Sequence, residues 1–166
     1  KVTLYPVGFN TKAYVRILTN ALFRRSMLIT VGLTVFNTTF VIIFSLLAGY
    51  ALANKHFVGK KVVTYYYLIT MYFSGGLIPT YILVSNWLKL SNNLLALILP
   101  SITNVFYIIV FRNAINQLPR DLMDSAEIDG AGEFTILFKI VLPLILPMVT
   151  AFLIFSAVGY WNEWFG

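Results

Sequence analysis

Long apolar stretches alternate with short polar ones along the chain. Residues 27–53 contain no charge, and further apolar stretches cover residues 62 to about 84, 94 to about 111, and 140–160. A transmembrane α-helix takes roughly 20 apolar residues. Each stretch is therefore predicted to cross a membrane once, which makes the chain an all-α, polytopic transmembrane helical bundle with about four spans.

The segment before the first span has a different pattern. Apolar residues recur with helical spacing at Tyr14, Ile17, Leu18, Ala21 and Leu22, while Lys12, Arg16 and Arg24 lie off this stripe. The pattern predicts a helix that lies in the membrane interface, although an amphipathic helix packed on protein fits it equally well. Arg24 and Arg25 are predicted to mark the boundary with the first span.

Small residues and helix breakers interrupt the predicted spans. Ser45 and Gly49 form a small-xxx-small pair, which predicts close approach of another helix. The second span contains Gly75, Gly76 and Pro79, and the third, which is predicted to end at Arg112, contains Pro100. Backbone groups freed within a membrane need partners from neighbouring helices or a wet cavity. The break in the second span is therefore either a packing kink or part of a transport path.

Composition supports the membrane assignment. The chain is 59% hydrophobic and 11% charged, with a mean hydropathy of +0.82, whereas soluble domains average about 25% charged residues. It contains no cysteine, which excludes disulfides and thiolate-bound metals. The net charge of +6 comes from scattered basic residues without interleaved aromatic ones, so anionic lipid, not nucleic acid, is the expected partner. No cofactor is expected.

The polar segment between the third and fourth spans holds most of the acidic residues. Five of the six lie within thirteen positions, at Asp121, Asp124, Glu127, Asp129 and Glu133. Pro119 predicts a helix start, and Asp129-Gly130 predicts a tight turn. A second helix then places Phe134, Leu137, Phe138 and Val141 at i, i+3, i+4 and i+7. The segment is predicted to form a helix–turn–helix projection that continues into the last span and suits a partner's groove.

Two other interpretations of the acidic segment are a solvated loop and an enzyme site. Asp121, Asp124 and Asp129 have a spacing that could ligate magnesium for phosphoryl transfer at a membrane. Such a site normally needs further acids and a base, but the remaining acid, Glu163, lies beyond a complete span. The chain is therefore not expected to be an enzyme.

The predicted spans place loops 54–61 and 112–139 on one side of the membrane. Each side carries six Lys and Arg residues, so the totals do not decide the orientation. The two short loops favour 54–61 inside, because it has three basic residues against one in 85–93.

The acidic segment resembles a known motif. Asp124-Ser125-Ala126, Asp129-Gly130-Ala131, Phe138, Ile140, Leu142-Pro143 and Pro147 resemble the EAA loop of ABC importer permeases, with Asp124 in place of glutamate and Ser125 in place of alanine. Phe73 to Thr80 and Val158 to Asn162 resemble carbohydrate-uptake permeases of the maltose type, particularly a Gram-positive branch that imports plant-derived oligosaccharides.

This resemblance implies a type I ABC importer permease that moves a sugar by alternating access. Residues 118–142 would form a cytoplasmic loop that docks on a separate ATPase, within a single domain that covers residues 1–166. The resemblance assigns the coupling to Asp124, Ser125, Ala126, Asp129, Gly130, Ala131, Phe134 and Phe138. It implies an ABC ATPase, a second permease and an extracellular solute-binding protein as partners in a bacterial plasma membrane. Because family members usually have six spans, the first and last are expected to lie outside this chain.

The translocation path is expected to use residues that can recognise a sugar. Tyr67, Asn104 and Tyr107 offer aromatic faces, an amide and hydroxyls within the predicted spans. Ordinary interhelical packing also accounts for each of them. A permease for a non-sugar solute remains the alternative, because a separate binding protein largely sets the specificity of such systems.

Overall fold

A computed structural model describes residues 11–73 and 75–163, with no side-chain description of Ala13. The described chain forms helices and no strands, which confirms the all-α prediction. The helices are α1 (Lys12–Thr19), α2 (Ala21–Ala53), α3 (Lys60–Tyr72), α4 (Leu77–Ile82), α5 (Leu95–Ile98), α6 (Val105–Gln117), α7 (Arg120–Ile128), α8 (Glu133–Ile136) and α9 (Leu142–Trp161). Two π-helical turns, Leu83–Trp87 and Leu137–Val141, extend α4 and join α8 to α9, and a 3-10 turn, Leu99–Ser101, extends α5.

Two of the helices are long and apolar enough to cross a membrane unaided. They are Ala21–Ala53 and the continuous helix Glu133–Trp161, with mean hydropathies of 2.1 and 2.4. Two further candidates are bent pairs: Lys60–Tyr72 with Leu77–Trp87, at 109°, and Leu95–Ser101 with Val105–Gln117, at 40°. Counting each pair as one span gives up to four spans, in agreement with the prediction.

The first long helix begins earlier than its charge pattern predicted. Asn20 has an extended backbone, and its side-chain oxygen accepts hydrogen bonds from the N–H groups of Leu22 (2.9 Å) and Phe23 (3.5 Å). A cap of this kind satisfies two of the donors that every helix N-terminus leaves free. The boundary predicted at Arg24 and Arg25 is therefore wrong for the helix, because the break lies at Asn20. This break also divides the predicted apolar stripe, which leaves Ala21 and Leu22 in α2.

Replacing Asn20 with alanine is expected to destabilise the α1–α2 junction. Loss of an N-cap side chain costs about 1 kcal/mol, which should appear as a lower midpoint of thermal unfolding in detergent. Thr11 provides the control, because it occupies the N-cap of α1 but its side chain makes no capping hydrogen bond. Equal shifts for Asn20→Ala and Thr11→Ala would show that the Asn20 cap contributes nothing.

The sixth helix extends beyond the end predicted at Arg112. It continues to Gln117 and stops where Leu118 becomes extended in front of Pro119. This correction follows from backbone chemistry, because the residue before a proline disfavours the helical conformation. A single charge does not end a helix, and the Arg112 Nε is buried without a hydrogen-bond partner in the described part of the chain.

The core lies where α2, α6 and the last long helix meet. Its buried members are Val41, Ile42, Leu46, Phe111, Ala114, Ile115, Ile136, Leu137, Val141, Ile145 and Val149. The close helix approach predicted at Ser45 and Gly49 is confirmed. Ser45 is fully buried. Its hydroxyl donates to the backbone carbonyl of Asn104 (3.4 Å) and accepts a hydrogen bond from the Asn104 N–H (3.5 Å). At Gly49, a Cβ atom would lie 3.0 Å from the carbonyl oxygen of Ile108.

The predicted apolar stripe of the eighth helix is divided between two faces. Leu137 and Val141 are buried in the core, whereas Phe134 and Phe138 are exposed. The prediction that all four share one face is therefore wrong. The π-helical turn over Leu137–Val141 changes the residue spacing at this point, so a regular 3.6-residue period does not hold through it.

Candidate functional site

The acidic segment folds as a capped helix, a tight turn and a second helix. Its first helix, α7, begins directly after Pro119, as predicted. At its end, the Ala131 N–H donates to the Ala126 carbonyl (2.9 Å) and the Gly130 N–H donates to the Glu127 carbonyl (3.0 Å). This pair of bonds is the Schellman motif, which requires a left-handed residue at its centre. Gly130 supplies it with φ = +78°, and the predicted Asp129-Gly130 turn is thereby confirmed.

The second helix of the segment is anchored at Gly132. The carbonyl of Gly132 accepts hydrogen bonds from the N–H groups of Thr135 (2.8 Å) and Ile136 (3.1 Å). Ile136 and Leu137 then enter the core. Because this helix continues into α9, the turn is directly connected to a membrane-spanning helix.

The turn presents apolar side chains to its surroundings. Ile128 is 86% exposed, Phe134 68% and Phe138 51%. The acidic residues Asp121, Glu127 and Asp129 are also exposed around it. We refer to the surface formed by Ile128, Asp129, Gly130, Phe134 and Phe138 as the turn surface. An exposed set of large apolar side chains with acidic neighbours on an ordered backbone has the character of a protein-docking surface.

The residues predicted to couple to a partner occupy one helix–turn–helix but do not all face outward. Ser125 is exposed, and its hydroxyl donates to the Asp121 carbonyl at 2.5 Å. Ala126 and Ala131 are half-buried and pack against the core, and one of the Schellman hydrogen bonds joins their backbones. Asp124 is half-buried and forms an ion pair with Lys55, with 2.9 Å between Nζ and Oδ1.

The end of α2 and the α2–α3 loop contact the same segment. The amide of Asn54 donates to one carboxylate oxygen of Glu133 (2.9 Å), and the hydroxyl of Tyr50 donates to the other. Together with the Lys55–Asp124 pair, these bonds confirm that loops 54–61 and 112–139 lie at the same end of the bundle. Tyr50, Asn54 and Glu133 were not predicted as site residues from the sequence. The sequence signal that could have identified the two donors is the i, i+4 spacing of Tyr50 and Asn54 at the end of the first span.

The three residues predicted for a translocation path have different environments. Asn104 caps α6, and its side-chain oxygen accepts a hydrogen bond from the Tyr107 N–H at 3.3 Å. The Tyr107 hydroxyl accepts a hydrogen bond from Ser156 (3.2 Å), and its ring centroid lies 4.5 Å from that of Phe152. Tyr67 is half-exposed on α3 beside Tyr66. The structure therefore brings Asn104 and Tyr107 together, and no hydrogen bond among the described residues joins Tyr67 to them.

No metal site is found in the described ranges, where no three His, Asp or Glu side chains cluster closely enough to hold an ion. Asp124, one of the three acids considered for magnesium, is paired with Lys55.

The described chain thus combines helices that can cross a membrane with one exposed helix–turn–helix. Residues 41–165 match the family described as the binding-protein-dependent transport system inner membrane component. The chain belongs to this family, and therefore to a family of membrane transport components.

Two relatives from Bacillus subtilis are similar to almost the whole chain. The chain is 38% identical to Protein LplC of Bacillus subtilis over 162 residues, which is 98% of this chain and 55% of LplC. It is also 38% identical to the polygalacturonan/rhamnogalacturonan transport system permease protein YtcP of Bacillus subtilis, over 99% of this chain and 57% of YtcP. The chain thus spans somewhat more than half the length of these curated relatives.

A solved structure has the same fold. The crystal structure of a bacterial ABC transporter involved in the import of the acidic polysaccharide alginate matches 99% of this chain and 59% of its own chain. The TM-score is 0.90 and the sequence identity is 30%.

Proposed function

We propose that the protein is the permease subunit of an ATP-driven ABC importer that moves a sugar or oligosaccharide inward by alternating access. The family membership supports a role in transport, and the designation of YtcP as a polygalacturonan/rhamnogalacturonan permease supports a carbohydrate cargo. The similarity to the structure of an alginate importer also supports it.

The observation that carries the coupling role is the exposed turn at Gly130. Its backbone is held by two Schellman hydrogen bonds, and its apolar side chains Ile128 and Phe134 are largely exposed. Because the helix after the turn continues as a membrane-spanning helix, a push on the turn surface would be passed directly to the bundle. In this proposal, an ABC ATPase subunit covers the turn surface.

The remaining partners follow from the same proposal. Loops 54–61 and 112–139 lie on the cytoplasmic side of a bacterial plasma membrane, and loop 85–93 lies outside. A second permease subunit contacts exposed apolar faces of the long helices, and an extracellular solute-binding protein delivers the cargo. The basic helix α1 lies against lipid on the outer side, where its side chains Tyr14 and Leu18 are exposed.

We assign the translocation path to Tyr67, Asn104 and Tyr107. Sugar recognition combines stacking on aromatic rings with hydrogen bonds to hydroxyl groups, and the hydroxyl of Tyr107 lies within a polar contact between α6 and α9. Asn104 lies at the bend between α5 and α6, where the backbone is not helical and could change with the transport state.

Reconstitution of the full-length protein tests the proposal. The protein is expected to co-purify with an ABC ATPase when the two are expressed together. In proteoliposomes containing ATP, the complex is expected to take up labelled oligosaccharide from a loaded binding protein, and a hydrolysis-deficient ATPase should abolish this uptake. Uptake of only a non-carbohydrate solute would establish the alternative cargo. Uptake that continues without ATP hydrolysis would contradict the proposed function.

A further inference from the structure

Both carboxylate oxygens of Glu133 are engaged by the end of α2. One oxygen accepts from the Asn54 amide at 2.9 Å, and the other accepts from the Tyr50 hydroxyl. These donors are four residues apart, and therefore lie on one face of the helix end. A carboxylate held at two oxygens by one helix is restrained in orientation as well as in distance.

Glu133 occupies a position from which it can link the turn to the bundle. It is the first residue of α8, three residues after the left-handed Gly130. Its donors belong to the end of a 33-residue helix that crosses the bundle and packs in the same core as α9. The turn is thus joined to the last span through the continuous chain and to the first span through Glu133.

The other helix of the projection has a second link to the same loop. Lys55 and Asp124 form an ion pair at 2.9 Å, with side chains 44% and 46% exposed. Both links are exposed to solvent. Glu133 is held at two oxygens and Asp124 at one, so Glu133 fixes the geometry of the contact more closely.

We propose that Tyr50, Asn54 and Glu133 form a bracket that makes α2 move together with the turn when the ATPase acts on it. Glu133 is in this view a positioning residue, because both of its carboxylate oxygens are engaged by α2 and its C-cap although its side chain is exposed. The inference rests on the proposed function, because the bracket transmits a motion that only a coupled ATPase would supply. Transmission of this kind requires packed elements that move together.

Hydrogen exchange on the full-length protein alone tests the bracket without transport. Glu133→Gln is expected to increase amide exchange both at residues 50–54 and at residues 133–136, because removing one link loosens both partners. Glu163→Gln makes the same change of charge at the other end of the last long helix and should leave both segments unchanged. Unaltered exchange in Glu133→Gln would overturn the bracket, whatever the transport activity.

The assembled transporter tests the consequence. Glu133→Gln and Tyr50→Phe are expected to keep the ATPase bound while raising the ATP hydrolysed per solute imported, by at least about fivefold for Glu133→Gln. The double variant should be no worse than Glu133→Gln alone, because the two residues act as one unit. Tyr50→Phe removes a single hydroxyl and keeps the test valid if Glu133→Gln folds poorly.

The outcomes separate the bracket from the proposed function. A wild-type ratio of ATP to solute in both variants would overturn the transmission role, and so would loss of ATPase binding, which would place Glu133 in the docking surface. If exchange changes as expected but the wild-type complex imports nothing, the bracket stands as a structural link. The proposed function would then fail.

Discussion

Replacing Gly130 with valine is expected to abolish ATP-driven uptake while the protein still reaches the membrane in folded form. Gly130 has φ = +78°, a conformation that a β-branched residue adopts only with strain. A Cβ atom at this position would meet nothing within 4 Å, so the penalty lies in the backbone and not in a clash. A strain of about 1–3 kcal/mol would shift the turn away from the Schellman geometry. The measurement is uptake into proteoliposomes together with ATPase activity.

The same turn provides its own control. A Cβ atom at Gly132 would also meet nothing within 4 Å, but the backbone there is extended, with φ = −72° and ψ = 157°, which suits valine. Gly132→Val should therefore keep most of the uptake. Gly130→Asn should lie between the two variants, because asparagine tolerates the left-handed region better than other non-glycine residues. Wild-type uptake by Gly130→Val, or equal loss in both valine variants, would contradict the assigned role of the left-handed turn.

The turn could be predicted from sequence because its determinants are local. Asp129-Gly130 specifies a left-handed residue after a helix, and Pro119 specifies a helix start, whatever the rest of the fold does. The approach of two helices at Ser45 and Gly49 could also be predicted, since small side chains leave room for a neighbouring backbone. The apolar stretches were long enough to indicate the spans.

Two errors occurred where charge was used to place helix ends. Arg24, Arg25 and Arg112 mark where apolar composition stops, but the helices begin and end at Asn20 and Leu118, where backbone preferences act. A helix carries charged residues readily once its side chains reach water or a polar neighbour. Composition therefore indicates where an apolar stretch ends, whereas backbone preference indicates where the helix ends.

The roles of the acidic residues could not be read from their spacing. Asp124 and Glu133 are engaged by Lys55, Asn54 and Tyr50, whose positions are about 70 to 80 residues earlier in the chain. The packing of α2 against α6 and against the last long helix brings them together. Pairs of such large sequence separation leave no local pattern. The sequence therefore does not distinguish the acids that have partners, Asp124 and Glu133, from the other three.

The contact between the first and third spans leads to the second large effect. Gly49→Ala is expected to destabilise the protein, although alanine is the better helix former. Its Cβ atom would lie 3.0 Å from both the Ile108 carbonyl oxygen and the Phe111 Cβ, and 3.1 Å from the Arg112 backbone nitrogen. Two of these three atoms belong to the backbone of α6, so relief requires the helices to separate. Overpacking of this kind costs about 1–3 kcal/mol.

Gly32 in the same helix supplies a control of opposite sign. A Cβ atom there would meet nothing within 4 Å, so Gly32→Ala should stabilise the helix by about 0.5–1 kcal/mol. In detergent, the midpoint of thermal unfolding is expected to fall for Gly49→Ala and to rise slightly for Gly32→Ala. Separation of the helices would also weaken the bonds from Ser45 to the Asn104 backbone, so Gly49→Ala and Ser45→Ala should not be additive. A rise in the midpoint for Gly49→Ala would show that α2 and α6 are not in close contact at this position.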